Sequence, residues 1–163
     1  NRGEGTFEDR AFVEGLDAAE ETCGLAFADL DGDGAPEVLV SSSVRRVLLY
    51  ENHWGASSGG RVRVLLGRTS GTNRDAIGAV VRLTASGKTQ LREVRAGSSY
   101  LSQSSRELFF GIGASARAER VEVRWPDGKS ESLADVPAGS RVVWMEGTKP
   151  EILTGTLGAR LPR

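Results

Sequence analysis

Arg120-Val121-Glu122-Val123-Arg124-Trp125-Pro126-Asp127-Gly128 decides the fold of the larger part of this chain. Val121, Val123 and Trp125 fall on one side of an extended backbone, and Arg120, Glu122 and Arg124 on the other. A period of two belongs to a half-buried strand. Pro126 presets φ, Asp127 caps locally and Gly128 takes the left-handed position, so the strand ends in a turn. Working outward, Arg61-Val62-Arg63-Val64-Leu65-Leu66 places Val62, Val64 and Leu66 on one face. Residues 79–84 read as another strand, Ala85-Ser86-Gly87-Lys88 as a turn, 89–94 as the returning strand and 141–146 as a closing one. Short strands separated by turn signals indicate a small β-sandwich or open barrel. No long segment carries a 3.6-residue period, so helix content is expected to be low.

A different pattern occupies the N-terminal third. Asp29-Leu30-Asp31-Gly32-Asp33-Gly34-Ala35-Pro36-Glu37 sets four carboxylates at alternating positions around two glycines. That arrangement suits a hard, oxygen-seeking cation such as Ca2+, which takes roughly six to eight oxygens at about 2.3–2.6 Å. Asp29, Asp31, Asp33 and Glu37 would give side-chain oxygens and Ala35 its carbonyl. Gly32 and Gly34 permit the positive φ that such a curl needs. The alternative is an acidic hairpin turn with no metal, in which the carboxylates would repel one another. The pattern is not an EF-hand, because the twelfth position from Asp29 is Val40 rather than a bidentate Glu. Short β-branched runs on either side read as a β-meander.

Composition narrows the function classes. A net charge of −1 over 163 residues offers no electrostatic case for nucleic acid or an anionic membrane. No run approaches the roughly 18 apolar residues of a membrane helix. Cys23, alone, cannot close an intrachain disulfide and is expected to be a buried small apolar residue. The chain opens on Asn1 with its only Met at position 145 and shows no signal peptide, which suggests a processed or partial polypeptide. A weak calcium site fills where Ca2+ is plentiful, which points to an extracellular, periplasmic or cell-surface location.

Two resemblances organise the chain. Residues 1–9, then Gly24-Leu25-Ala26-Phe27-Ala28-Asp29-Leu30-Asp31-Gly32-Asp33-Gly34, then Leu49-Tyr50-Glu51-Asn52 resemble an FG-GAP/VCBS repeat, with Glu37 standing where that family usually has Asp. The resemblance implies one calcium-loop blade of a β-propeller. A propeller needs roughly four to eight blades, so residues 1–55 are expected to dock against further propeller blades, in the same polypeptide or on a partner chain. Gly67-Arg68-Thr69-Ser70-Gly71-Thr72-Asn73-Arg74-Asp75-Ala76-Ile77-Gly78-Ala79, Arg92-Glu93-Val94-Arg95-Ala96-Gly97-Ser98-Ser99-Tyr100-Leu101-Ser102-Gln103-Ser104, Leu108-Phe109-Phe110-Gly111-Ile112-Gly113 and Val121-Glu122-Val123-Arg124-Trp125-Pro126-Asp127-Gly128 resemble the ASPIC/UnbV domain of the cartilage acidic protein-like family. The expected organisation is a blade at 1–55, a Gly/Ser-rich linker at 56–60, the ASPIC/UnbV β-domain at 61–147 and a tail at 148–163.

The remaining polar clusters have structural readings beside functional ones. His53 is the only histidine, and no G-x-S-x-G elbow accompanies it, so a surface or interface role is expected over catalysis. Gly111-Ile112-Gly113 reads as a tight turn rather than a dinucleotide loop. Trp54 is the candidate exposed aromatic, while Trp125 and Trp144 sit at core strand positions. Asn73, Arg74, Asp75 and Tyr100 would bind sugar hydroxyls or a partner's carboxylate, or instead stitch loops by bonding backbone groups. Asp75 would pair with Arg74 or Arg95. The resulting expectation is a non-enzymatic, calcium-binding interaction module for a protein or glycan. Its rivals are a subunit completing another chain's propeller and an accessory protein of a biosynthetic pathway.

Overall fold

The computed structural model describes residues 2, 5–17, 21–44, 47–53 and 59–155. Among them the chain is mainly β: it has no helix and forms three sheets, none of them closed. Among the described residues no helix is long and apolar enough to cross a membrane.

The first sheet is a three-stranded antiparallel meander of β1 (Thr22–Ala28), β2 (Glu37–Ser42) and β3 (Val47–Tyr50). Pairing places Leu25, Phe27, Val38, Val40, Leu48 and Tyr50 on one face, and Ala26, Leu39 and Leu49 on the other. Both faces are therefore apolar, and Phe27, Val47 and Leu49 remain exposed. Cys23 is exposed rather than buried, because it stands at the bulged start of the edge strand β1.

Eight strands follow. β4 (Gly60–Gly67), β7 (Leu108–Gly113), β10 (Ser140–Met145) and β11 (Glu151–Thr154) form a sheet in the order β11-β10-β4-β7. β5 (Val80–Ala85), β6 (Lys88–Glu93), β8 (Arg117–Arg124) and β9 (Ser130–Pro137) form a second, in the order β6-β5-β8-β9. The inward residues of both sheets merge in one core. Val62, Val64, Leu66, Phe110, Val142 and Trp144 meet Val81, Leu83, Val121, Val123, Trp125 and Val136. Two sheets enclosing one core make a sandwich. The alternation read at Arg120 to Trp125 is the alternation that fills it.

Two details differ from the sequence reading. Gly111-Ile112-Gly113 is strand, with Ile112 in the core, because β7 continues along β4 to pair Gly60 with Gly113. There the backbones approach so closely that a Cβ on Gly59, at φ +104°, would lie 2.6 Å from the Gly113 carbonyl oxygen. The second difference is β11: part of the compositional tail pairs antiparallel with β10 and widens the sheet past residue 147.

The turn after β8 is held as its residue types require. Gly128 N donates to Trp125 O at 2.9 Å and Lys129 N to Asp127 Oδ1 at 3.1 Å. The Lys129 ammonium lies 2.7 Å from Asp127 Oδ2. Its hydrogen bond, then the one from its own amide, holds the Asp127 carboxyl down from 3.8 to about 2. A carboxylate with a depressed folded pKa stabilises the fold above its unfolded pKa, and that contribution fades as pH falls through the folded one. Asp127→Asn is therefore expected to flatten the acid-side loss of stability between about pH 4 and pH 2. Melting temperatures over that range, compared with the parent chain, would check this, and parallel curves would refute it.

The three-stranded sheet is tied to the sandwich along β1. Ser102 Oγ donates to Leu25 O at 2.9 Å and accepts from Leu25 N at 3.2 Å. Ser104 Oγ accepts from Phe27 N at 3.2 Å, and Ser105 N donates to Phe27 O at 2.7 Å. The outer edge of β1 is thus covered by residues 102–105 of the same chain instead of being left open. Gly24 lies tight in this contact, since an added Cβ would sit 2.9 Å from the Tyr100 carbonyl oxygen.

Candidate metal centre

The acidic segment bridges β1 and β2. Asp29 follows the last residue of β1, Asp31 and Asp33 lie in the loop, and Glu37 opens β2. Gly32 and Gly34 adopt φ of +80° and +94°, the region that favours glycine. The carboxylates organise the curl by accepting from main-chain amides. Asp29 Oδ1 accepts from Gly32 N at 2.8 Å and Oδ2 from Gly34 N at 3.1 Å. Asp31 Oδ1 accepts from Asp33 N at 3.0 Å, and Glu37 Oε2 from Leu30 N at 2.7 Å.

Asp29, Asp31 and Glu37 each bring a carboxylate oxygen within 4.8 Å of the others. Two oxygens on one Ca2+ at 2.3–2.6 Å are at most about 5 Å apart, so this triplet fits a hard cation. Asp33 stands outside it, its Oδ1 accepting from Ala35 N at 2.7 Å. Ala35 is buried against the sandwich. Glu37 is 4% exposed, and among the described residues no cationic side chain pairs with it.

Two residues of this centre went unread in the sequence. Arg63 Nη1 pairs with Asp29 Oδ2, the side chains only 6% and 4% exposed. Arg61 Nη2 donates to the Asp33 carbonyl. Arg63 points away from the sandwich core and would face water if β4 stood alone, but the acidic loop lies over it. The alternation of residues 61–64 shows which side Arg63 takes and carries no signal of what covers that side.

The other candidates lie elsewhere. Asn73 is a stitch: its Nδ2 donates to Ile77 O at 2.8 Å and its Oδ1 accepts from Ile77 N at 3.0 Å. Arg74 is exposed and its carbonyl accepts from Arg68 N at 2.9 Å. Asp75 pairs with Arg106, a partner 31 positions on, while Arg95 pairs with Glu93. Tyr100 is exposed. Trp54 lies outside the described residues. His53 is exposed, 3.6 Å from Glu51, in a cleft of about 980 Å3 between the N-terminal segment and the first sheet. Leu16, Val38, Leu49 and Tyr50 contribute apolar walls, and no serine, threonine or cysteine is among its described lining residues.

A family model described as ASPIC and UnbV matches residues 69–151, half of the chain. The chain belongs to the ASPIC and UnbV family. The matched span begins just after β4 and ends at the first residue of β11, so the ASPIC/UnbV portion supplies most of the sandwich together with Ser102, Ser104 and Ser105, which grip β1. The acidic loop and Arg63 precede it. No curated protein matches the chain.

Proposed function

We propose that this chain is a calcium-stiffened, non-enzymatic interaction module working outside the cytosol. Its three-stranded sheet acts as one FG-GAP/VCBS-type propeller blade, and its ASPIC/UnbV sandwich presents loops to a protein or glycan. The observation that carries the metal half of the reading is Glu37. A carboxylate 4% exposed, with no cationic partner among the described residues and two further carboxylates within 4.8 Å, calls for a counter-charge. Asp29, Asp31 and Glu37 would hold the ion, with Asp33 and the Ala35 carbonyl as the remaining candidates. The bound ion would neutralise and stiffen the loop. The chain's own residues shape the site: amides fix the carboxylates, and Arg63 holds Asp29 from the sandwich side.

The blade half rests on the two apolar faces of the first sheet. A sheet that packs against a core on one side only has a polar second face. Here Phe27 on one face and Leu49 on the other stay exposed, as expected of a sheet stacked between two others. A multi-chain reading, in which this sheet completes another chain's propeller, draws on the same exposed residues. Light scattering after gel filtration separates the two, because a stable monomer counts against the assembly.

Calcium titration tests the metal half. At a free concentration about 100 times Kd, binding contributes about 2.7 kcal/mol, a rise in melting temperature of roughly 5–10 °C for a domain of this size. Thermal melts in CaCl2 against chelator should show that rise. Identical melts at millimolar Ca2+ would end the calcium reading.

A further inference from the structure

A small cavity lies in the seam between the first sheet and the sandwich. Its volume is about 180 Å3, room for about six waters, which suits one sugar ring and not a chain. The floor is apolar, from Leu25 and Phe27 of β1 and Leu108 of β7. The polar lining comes from Glu93, which ends β6, and from the connection 94–107 that follows it. We propose that this cavity binds one carboxylated pyranose, a hexuronate unit of a glycan. The inference rests on the interaction-module reading above, whose glycan arm it makes specific, and not on the metal.

Bonding capacity decides the ligand class. Each polar group is held by a neighbour and still has capacity to spare. Arg95 Nε donates to Glu93 Oε2 at 3.0 Å. Both terminal nitrogens of Arg95 and the second Glu93 oxygen then have no partner among the described residues. Arg106 pairs with Asp75 through Nη1. Ser105 Oγ accepts from Glu107 N at 3.1 Å and keeps its own proton to give. Donors and an acceptor therefore stand side by side, which matches a row of hydroxyls, each able to give and to take a proton. The Phe27 ring, 41% exposed, offers an apolar surface to the C–H face of a pyranose. Two guanidiniums against one carboxylate among the lining charges favour an anionic ligand. Arg95 takes the carboxylate, because its pair of terminal nitrogens forms the planar fork that grips two oxygens at once, whereas Arg106 has committed one of its own to Asp75.

The site is set before a ligand arrives. Ser98 Oγ and Ser104 Oγ share a hydrogen bond at 3.1 Å. Ser104 Oγ also accepts from Phe27 N, and Ser105 N donates to Phe27 O, so the polar loop and the aromatic wall are fixed to each other. Little loop ordering then opposes binding.

The test follows amide shifts of the 163-residue chain during titration with glucuronate, glucose and acetate. Glucuronate should move Phe27, Ser104, Ser105 and Arg106 saturably, with a Kd on the order of millimolar for so small a ligand. Glucose keeps the ring and lacks the carboxylate, so it should bind about tenfold more weakly. Acetate, a carboxylate without a ring, should not saturate. Arg95→Gln changes a side chain 68% exposed, which leaves the fold intact, and should erase the preference for glucuronate over glucose. Phe27→Leu should weaken both sugars several-fold. Saturation that maps to other residues, or that Arg95→Gln leaves unchanged, overturns this site while the chain remains a glycan binder. Acetate binding as tight as glucuronate overturns it too, because a bare charge would then suffice. With no saturation by glucuronate at about 20 mM, the site falls and the module reading stands on protein partners alone.

Discussion

Asp29→Ala is expected to destabilise the chain by about 3–5 kcal/mol even in chelator, where no calcium contributes. Removing the carboxylate leaves the Arg63 guanidinium buried without its counter-charge, and it takes an acceptor from the amides of Gly32 and Gly34. The cost comes mainly from the abandoned charge. The control is the pair of substitutions Asp29→Leu with Arg63→Met, since an apolar replacement of a whole buried ion pair is often neutral or stabilising. Urea unfolding in chelator should show the single variant far below the parent and the double variant close to it. A single variant within about 1 kcal/mol of the parent would mean that Arg63 has water to fall back on and that the loop does not seal it. With calcium present, neither variant should respond to the ion, because both lack a proposed ligand.

Trp125→Ala should have a comparable effect on the sandwich. The indole is fully buried, and truncating a buried tryptophan to alanine costs about 3–5 kcal/mol through lost burial and the cavity left behind. It also breaks a tie at the rim of the core. Trp125 Nε1 donates to Glu131 Oε2 at 2.9 Å, and Glu131 Oε1 accepts from Gly147 N at 3.1 Å, so one carboxylate spans the turn after β8 and the segment after β10. Trp125→Phe keeps most of the ring and loses the hydrogen bond, so its melting temperature should fall between the other two. For Ala the expected drop is roughly 6–20 °C. A drop of only a few degrees would show that the core closes without this side chain.

Strand positions were legible where the signal is local. Alternation marked Val121, Val123 and Trp125 as inward, and Val62, Val64 and Leu66 likewise, because side-chain direction along a strand depends only on neighbours in sequence. The turn chemistry of Asp127 and Gly128 was local too. So was the glycine geometry of the acidic loop; of the four carboxylates read as ligands, Asp29, Asp31 and Glu37 stand within 4.8 Å of one another and Asp33 does not join them. What escaped depends on distant residues. Arg63 went unread because its cover arrives from residue 29. Asp75 found Arg106, not Arg74 or Arg95, because the loops that bring them together are separated by two strands, β5 and β6. Gly111-Ile112-Gly113 carries turn residues yet lies in a strand, because it pairs along β4 at Gly60 and Arg61, residues distant in sequence. The strand Glu151–Thr154 is too short for periodicity to register and exists because β10 offers it an edge.

The parallel pairing of β4 with β10 has a consequence for how the chain acquires its shape. Ser140 aligns with Val62 and Met145 with Gly67, so partners stand nearly half the sequence apart. On a growing chain β4 can recruit β7 first, but its other side stays vacant until β10 is made. Loop closure over such a span is paid before the contact rewards it, and proteins dominated by distant pairings fold in milliseconds to seconds. β10 therefore joins the free edge of β4 late, and β11 then covers the far side of β10.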